Sequence, residues 1–262
     1  MRGTAPFRPR LVLAGLLVAA AATLSANNAP QLLAPGDRLT SLPVSAVRIK
    51  DAFWAPRQET NRTRTLDHVL QQIEATGGLR NFDIAAGKVK GEFGGPFWAD
   101  SDVYKWLEGA SLSLAIHPDP ALDAKVDGII ARIADAQEED GYLNTFIQIA
   151  APELRFRNFA FFHEDFSSGH LFEAAAAHYE ATGKKTLLTV ATRLADLFDR
   201  EFGPGRKEYI SGHEGIETAL VTLSRVTGER RYLELAKVMV DRRGQRPSIF
   251  EKQYRELPID RT

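Results

Sequence analysis

The chain of 262 residues contains no cysteine. It forms no disulfide and offers no thiol for lipid attachment. It carries almost no net charge, with 33 Lys and Arg against 34 Asp and Glu. That balance excludes the basic footprint of a nucleic-acid binder and gives no pull toward an anionic membrane surface. No run of like charges marks a tail. There is no His-x-x-x-His pair of the kind that holds zinc on one helix face. A phosphate-binding loop is also missing, because Gly91-Glu92-Phe93-Gly94-Gly95 does not sit between a strand and a helix. What remains is ordinary soluble-globular composition, 44% hydrophobic and 26% charged.

The first residues read as a leader. Arg2, Arg8 and Arg10 make a basic start, and Leu11 to Leu24 is an apolar run too short to span a bilayer comfortably. Ser25 and Ala26 supply small residues for cleavage, although Leu24 fits poorly two places before Ala26. Residues 1–26 are expected to be a signal peptide, the alternative being an uncleaved membrane anchor. Either reading exports the chain to the periplasm or beyond. Residues 27–46, rich in Pro, Ala and Ser, read as a linker, and residues 47–262 as one domain with a sizeable core.

Helical spacing dominates that domain. Only Val47-Arg48-Ile49 alternates like a short strand. Seven helices are expected. The first carries Leu66, Val69, Leu70 and Ile73 and is stopped by Gly77-Gly78. The second starts near Ser101, and the third is capped by Asp119 with Pro120 at its first position. The fourth starts near Ser168, and the fifth buries Leu187, Leu194 and Phe198. The sixth and seventh meet at Thr227-Gly228. Gly169-His170 and Gly212-His213 each open a helix–turn–helix unit of similar length, the mark of stacked helical hairpins. Turns 2–3, 4–5 and 6–7 are short, whereas connections 1–2, 3–4 and 5–6 are long. Helices joined by short turns run antiparallel, so the long loops share one rim with the N-termini of helices two, four and six. Those termini present free N–H groups and partial positive charge. Long loops on a rigid scaffold are the usual seat of a binding site.

The rim gathers acids, histidines and aromatics, a mixture suited to carbohydrate: Asp100, Asp102, Asp140, His163, Glu164, Asp165, His170, His213 and Glu217, with Phe93, Trp98, Phe161, Phe162 and Phe166. Each polar group also has a plain structural role open to it. Asp100 or Asp102 could cap helix two, and His170 or His213 could bond backbone at a helix start. His163, set between aromatics in a long loop, is the better functional candidate. His178 reads as packing. Phe159 to Phe162 serve equally as a sugar platform or as a buried loop anchor.

Several strings together resemble glycoside hydrolase family 127, the β-L-arabinofuranosidase-like proteins. They are Phe53-Trp54-Ala55-Pro56-Arg57, Asp100-Ser101-Asp102-Val103-Tyr104-Lys105-Trp106-Leu107-Glu108, and Asp140-Gly141-Tyr142-Leu143-Asn144-Thr145. His163-Glu164, Gly169-His170 with Glu173, Gly212-His213 with Glu217, and Arg243-Gly244-Gln245 follow in order. The resemblance implies an all-α fold, antiparallel hairpins forming part of an (α/α)6 barrel. It implies a retaining glycosidase that removes terminal β-L-arabinofuranose from plant-type glycans or glycopeptides. A cysteine thiolate nucleophile would be held on zinc by cysteines and a glutamate, with a separate glutamate as acid/base. Zinc lowers a thiol's pKa, which allows that chemistry near neutral pH. His163 and His213 match pocket-lining histidines, and Asp102 is placed near the pocket. Asp165 and Phe166 depart from the family's usual apolar residue and tyrosine, and Gly215 from its usual acid.

With no cysteine and seven helices where a ring needs about twelve, the chain is expected to be a truncated member. The resemblance puts the nucleophile, the zinc ligands and the acid/base downstream of Thr262, the last residue. The chain would then carry substrate contacts but no catalytic residue, bind no zinc itself, and associate through an open barrel edge. Two other readings stay open. Two rim acids, Asp102 with Glu164 or Glu217, could act without metal as in inverting glycosidases or lyases. Alternatively, the repeats form a non-catalytic glycan- or protein-binding scaffold.

Overall fold

The computed structural model describes residues 41–255. The leader of residues 1–26, most of the linker, and the domain's last stretch, up to Thr262, lie outside the described residues. Twelve helices follow in order: α1 (Trp54–Thr60), α2 (Leu66–Ala75), α3 (Gly78–Ala85), α4 (Ala99–Ile116), α5 (Pro120–Ala136), α6 (Thr145–Ala150), α7 (Phe159–Phe162), α8 (Glu164–Thr182), α9 (Thr186–Phe202), α10 (Ile216–Thr227), α11 (Arg230–Arg242) and α12 (Ile249–Arg255). A π turn at Asn61–Thr65 joins α1 to α2. No strand occurs among the described residues, and Val47-Arg48-Ile49 is an exposed segment without a pairing partner. No helix among them is long and apolar enough to cross a membrane.

All seven expected helices are present, as α2, α4, α5, α8, α9, α10 and α11. The long connections add short helices that periodicity did not expose, since α3, α6 and α7 span only 8, 6 and 4 residues. The fourth long helix begins at Glu164, four residues before Ser168, because its first turn is buried and polar rather than apolar.

Three helices form an inner row: α4 packs on α8, and α8 on α10. Their hairpin partners α5, α9 and α11 form an outer row behind them. The burial patterns follow from these positions. Outer helix α9 buries one stripe, from Leu187 through Val190, Ala191, Leu194, Leu197 and Phe198 to Phe202. Burying each such large side chain stabilises the fold by about 1.5–3 kcal/mol. Inner helix α8 is enclosed on several sides, and small residues at Ala174, Ala175 and Ala176 let its neighbours approach. Gly169 serves the same end, since a Cβ there would sit 3.1 Å from the Cα of Ile216. The short turns end α8 and α10 with Gly183 and Gly228, both left-handed, as a helix C-terminus favours. Asp119 caps α5 through the N–H groups of Ala121 and Leu122, with Pro120 behind it, as the sequence indicates.

The inner row does not close on itself within the described residues. Its flank at α4 leaves a groove of about 570 Å³ against α2 and the π turn. Parallel inner helices put the N-termini of α4, α8 and α10 at one end, together with the long loops.

Candidate active site

At that end two imidazoles meet. The Nε2 atoms of His163 and His213 lie 2.7 Å apart, and their ring centroids 4.4 Å apart. The residues are 50 positions apart in sequence. His163 sits between α7 and α8 with a left-handed backbone, φ 57°, uncommon for a residue with a Cβ. Its Nδ1 contacts the Phe161 carbonyl. A carbonyl only accepts, so Nδ1 carries the proton and Nε2 of the neutral ring is a lone pair. His213 must then donate from its own Nε2. Burial and the neighbouring His213 hold the His163 imidazole below its usual range, which keeps that ring neutral near pH 7.

Aromatic rings surround the pair. Phe97 lies 5.1 Å, Trp98 5.8 Å and Phe166 5.4 Å from the His163 ring, centroid to centroid. Phe97 stacks on Phe161 at 5.5 Å. Trp98 and Phe161 are 38% and 41% exposed, so a ligand reaches them. Phe97 was not singled out from the sequence. Its only signal was its place beside Trp98 in an aromatic pair that enters α4.

The loops are braced from below by acids. Asp100, in the first turn of α4, does not cap that helix. It accepts from the Thr145 N–H at 2.7 Å and from the Thr145 hydroxyl, pinning α6 to α4. Glu164 accepts from the Tyr142 hydroxyl at 2.5 Å and the Phe156 N–H at 3.1 Å. Burial pushes the Asp100 carboxyl up to about 6 and the Glu164 carboxyl up to about 7. Phe156 itself is wedged among Tyr142, Phe159, Phe198 and Phe202 at 5.1–5.8 Å. The aromatic run is therefore divided: Phe159 anchors the loop in the core, and Phe161 faces the site. Gly212 lets the two histidine loops touch, since a Cβ there would lie 2.5 Å from the Ala160 carbonyl oxygen.

The remaining sequence candidates scatter. Asp102 is exposed on α4, 3.6 Å from Lys105, and lines the groove toward α2. Its partner Lys105 lies 5.0 Å over the Phe166 ring, which packs on both histidines. Glu217 accepts from Arg243 at 2.9 Å and from the Gly215 N–H, and Asp140 pairs with Arg155. His170 packs against Phe166 at 4.7 Å, and His178 is fully buried, as packing requires. Glu164 is enclosed and Glu217 is held by Arg243.

A family model for the β-L-arabinofuranosidase catalytic domain of glycoside hydrolase family 127 matches residues 46–260. The chain belongs to this family. It is 44% identical, over 188 residues, to a non-reducing end β-L-arabinofuranosidase of Bifidobacterium longum subsp. longum, covering 70% of this chain and 29% of that protein. In three dimensions it is similar to a family 127 β-L-arabinofuranosidase from Geobacillus stearothermophilus T6. The TM-score is 0.77 at 36% identity, over 79% of this chain and 34% of that one. A second family 127 structure, a β-arabinofuranosidase, gives a TM-score of 0.69 at 38% identity, over 77% and 34%. The chain thus spans about a third of these relatives, and its helices form part of an (α/α)6 barrel.

Zinc fits these residues poorly. Among the described residues no three histidine, aspartate or glutamate side chains converge on a metal position. The chain also lacks the thiols that the family resemblance calls for. The catalytic groups expected downstream of Thr262 fall outside the described residues, which end at Arg255.

Proposed function

We propose that this chain supplies the sugar-recognising part of a β-L-arabinofuranosidase site. In this reading His163 and His213 address hydroxyls of a terminal β-L-arabinofuranosyl residue on a plant-type glycan or glycopeptide. Phe97, Trp98 and Phe161 cover the sugar's apolar face. The carrying observation is the Nε2–Nε2 contact at the loop end, within reach of exposed aromatics. The facing Nε2 atoms, one donating and one accepting, offer one donor and one acceptor, which is what a sugar hydroxyl needs. A hydroxyl entering between the rings replaces the imidazole–imidazole bond without leaving a polar group unpaired. Asp102 acts at the margin, through Lys105.

Catalysis in the family sense needs a thiolate, and this chain has none. Glycosidase action by these residues alone is therefore expected to be absent. We further infer export through the leader, and association at the open flanks of the inner row.

The test is a titration with methyl β-L-arabinofuranoside, followed by NMR of the histidine rings. Saturable shifts at His163 and His213, weakened at least tenfold by either His→Ala change, support the reading. Unperturbed imidazoles at saturating sugar would overturn it. Arabinose release by the purified chain would overturn the non-catalytic part alone.

A further inference from the structure

Burial does little to fix the His213 ring. The residue is exposed. Its ring contacts are the site's own, with His163 and with Phe166 at 5.1 Å. Where the ring stands is therefore decided by the backbone of its loop. A side chain from the far end of α11 holds that loop. Arg243 directly follows α11. Its Nη1 donates to Glu214 at 2.9 Å. Its Nη2 donates to the Glu217 carboxylate at 2.9 Å and to the Ser211 carbonyl at 3.3 Å. Glu217 passes the hold on, because its other oxygen accepts from the Gly215 N–H at 3.1 Å. One guanidinium thus ties down Ser211, Glu214, Gly215 and Glu217, on both sides of His213. Inside the loop the Ser211 side chain closes on His213 itself, donating to its carbonyl and accepting from its N–H at 3.2 Å.

Only an arginine suits this place. Its planar fork offers five N–H donors and meets three separate acceptors at once, whereas an ammonium acts as a point charge. Glu217 is only 8% exposed, so its charge needs the partner that Arg243 supplies. Gln253 of α12 adds a tie at the start of the loop, accepting from the Ile210 N–H at 2.6 Å and donating to its carbonyl at 2.8 Å. The His163 loop is held differently. There the Asn158 side chain accepts from the Phe161 N–H at 3.1 Å, and Phe159 packs on Tyr209 at 4.0 Å. One histidine stands on a local cap and an apolar anchor, the other on a charge delivered from α11.

We propose that Arg243 is a positioning residue: it sets where His213 stands, and so whether the two Nε2 atoms meet. Its bearing on sugar affinity rests on the reading of the histidine pair given above; its hold on the loop does not. Without Arg243, Glu217 turns its charge toward solvent and lets go of the Gly215 N–H. The Ser211 carbonyl loses its anchor in the same event. The loop then carries the exposed imidazole away, while His163 stays where its own cap and anchor keep it. The hairpins remain, because their core lies elsewhere.

The experiment is NMR of the full chain labelled with ¹⁵N in histidine, first alone and then with methyl β-L-arabinofuranoside. Arg243→Ala should lose the His163–His213 contact in the free chain while far-UV circular dichroism stays unchanged. Sugar affinity should fall at least tenfold. Added methylguanidinium should restore most of the contact and of the affinity, and Arg243→Lys, which keeps the charge but not the fork, should restore little. A contact that persists in Arg243→Ala would overturn the proposal. So would a loss that methylguanidinium leaves untouched, since that marks general damage. Should Arg243→Ala fail to fold, Glu217→Gln decides: it cannot accept from both Arg243 and the Gly215 N–H, and an unchanged contact there would overturn the proposal too. A wild type that shows the contact but ignores the sugar defeats the sugar reading alone, and the ring contact still judges Arg243.

Discussion

The two ends of the helical row are built by different rules. At the short-turn end the chain reverses in a few residues, between α4 and α5, α8 and α9, and α10 and α11. Its turns are closed locally, by a glycine C-cap or by an aspartate bonded two and three residues on, with one distant tie where Lys184 reaches Asp123 and Asp127 at 2.7 Å. At the loop end the partners are distant. Asp100 bonds Thr145, Glu164 bonds Tyr142 and Phe156, and His163 meets His213. Local satisfaction gives a cheap, tolerant turn. Distant satisfaction holds long loops in one shape, which a binding site requires, but each brace depends on a partner that folding must deliver.

Three changes probe this contrast. The largest effect is expected for Phe156→Ala, which empties the aromatic wedge beneath the loops. Such truncations cost about 3–5 kcal/mol. Urea unfolding should show a loss of that size, whereas a loss under about 1 kcal/mol would mean that the loops are not anchored through this ring.

Next comes a matched pair of glycines. Gly212→Ala forces a Cβ into the Ala160 carbonyl and should cost about 1–3 kcal/mol, as overpacking does. It should also abolish the histidine contact. Gly183→Ala meets open space in a left-handed turn, and should cost about 1–2 kcal/mol while leaving the histidines untouched. Equal effects on the histidine resonances would erase the distinction between the two ends.

The smallest effect is in pH dependence. Asp100, Glu164 and Asp165 keep protons in the folded chain up to about 6, 7 and 8, whereas unfolded carboxyls release them near 4. Between those limits the folded state binds more protons, so these groups lower stability as pH rises. His163 and His178 are held below the usual histidine range by burial and act oppositely, adding stability as pH rises toward about 7. Above pH 7 the buried acids still titrate, whereas the two histidines no longer do. Melting temperature should fall from pH 7 to 9, and fall less in Asp165→Asn. A flat wild-type profile would argue against buried, proton-bearing acids at the loop end.

The contrast also accounts for what the sequence disclosed. Periodicity and turn residues are local signals, so the seven long helices and the Asp119 and Gly183 turns were legible. Connection lengths alone were enough to bring His163 and His213 to one rim. The braces were not legible. Asp100 resembled a helix cap because its partner Thr145 lies 45 residues away, and Glu164 and Asp165 resembled rim acids open to ligand. Nothing near them in sequence announces Tyr142 or Phe156 as partners. Phe97 was hidden by the neighbouring Trp98, since adjacency cannot say which of two rings turns toward a histidine.

The alanine run of α8 bears on how such a molecule can change. A rod hemmed in on several flanks admits few exchanges, because any added methyl group meets a neighbour. Novelty in ligand preference must therefore come from the loops before and after it. A redesign should leave residues 171–178 alone and vary the aromatic segments at 93–98 and 159–162.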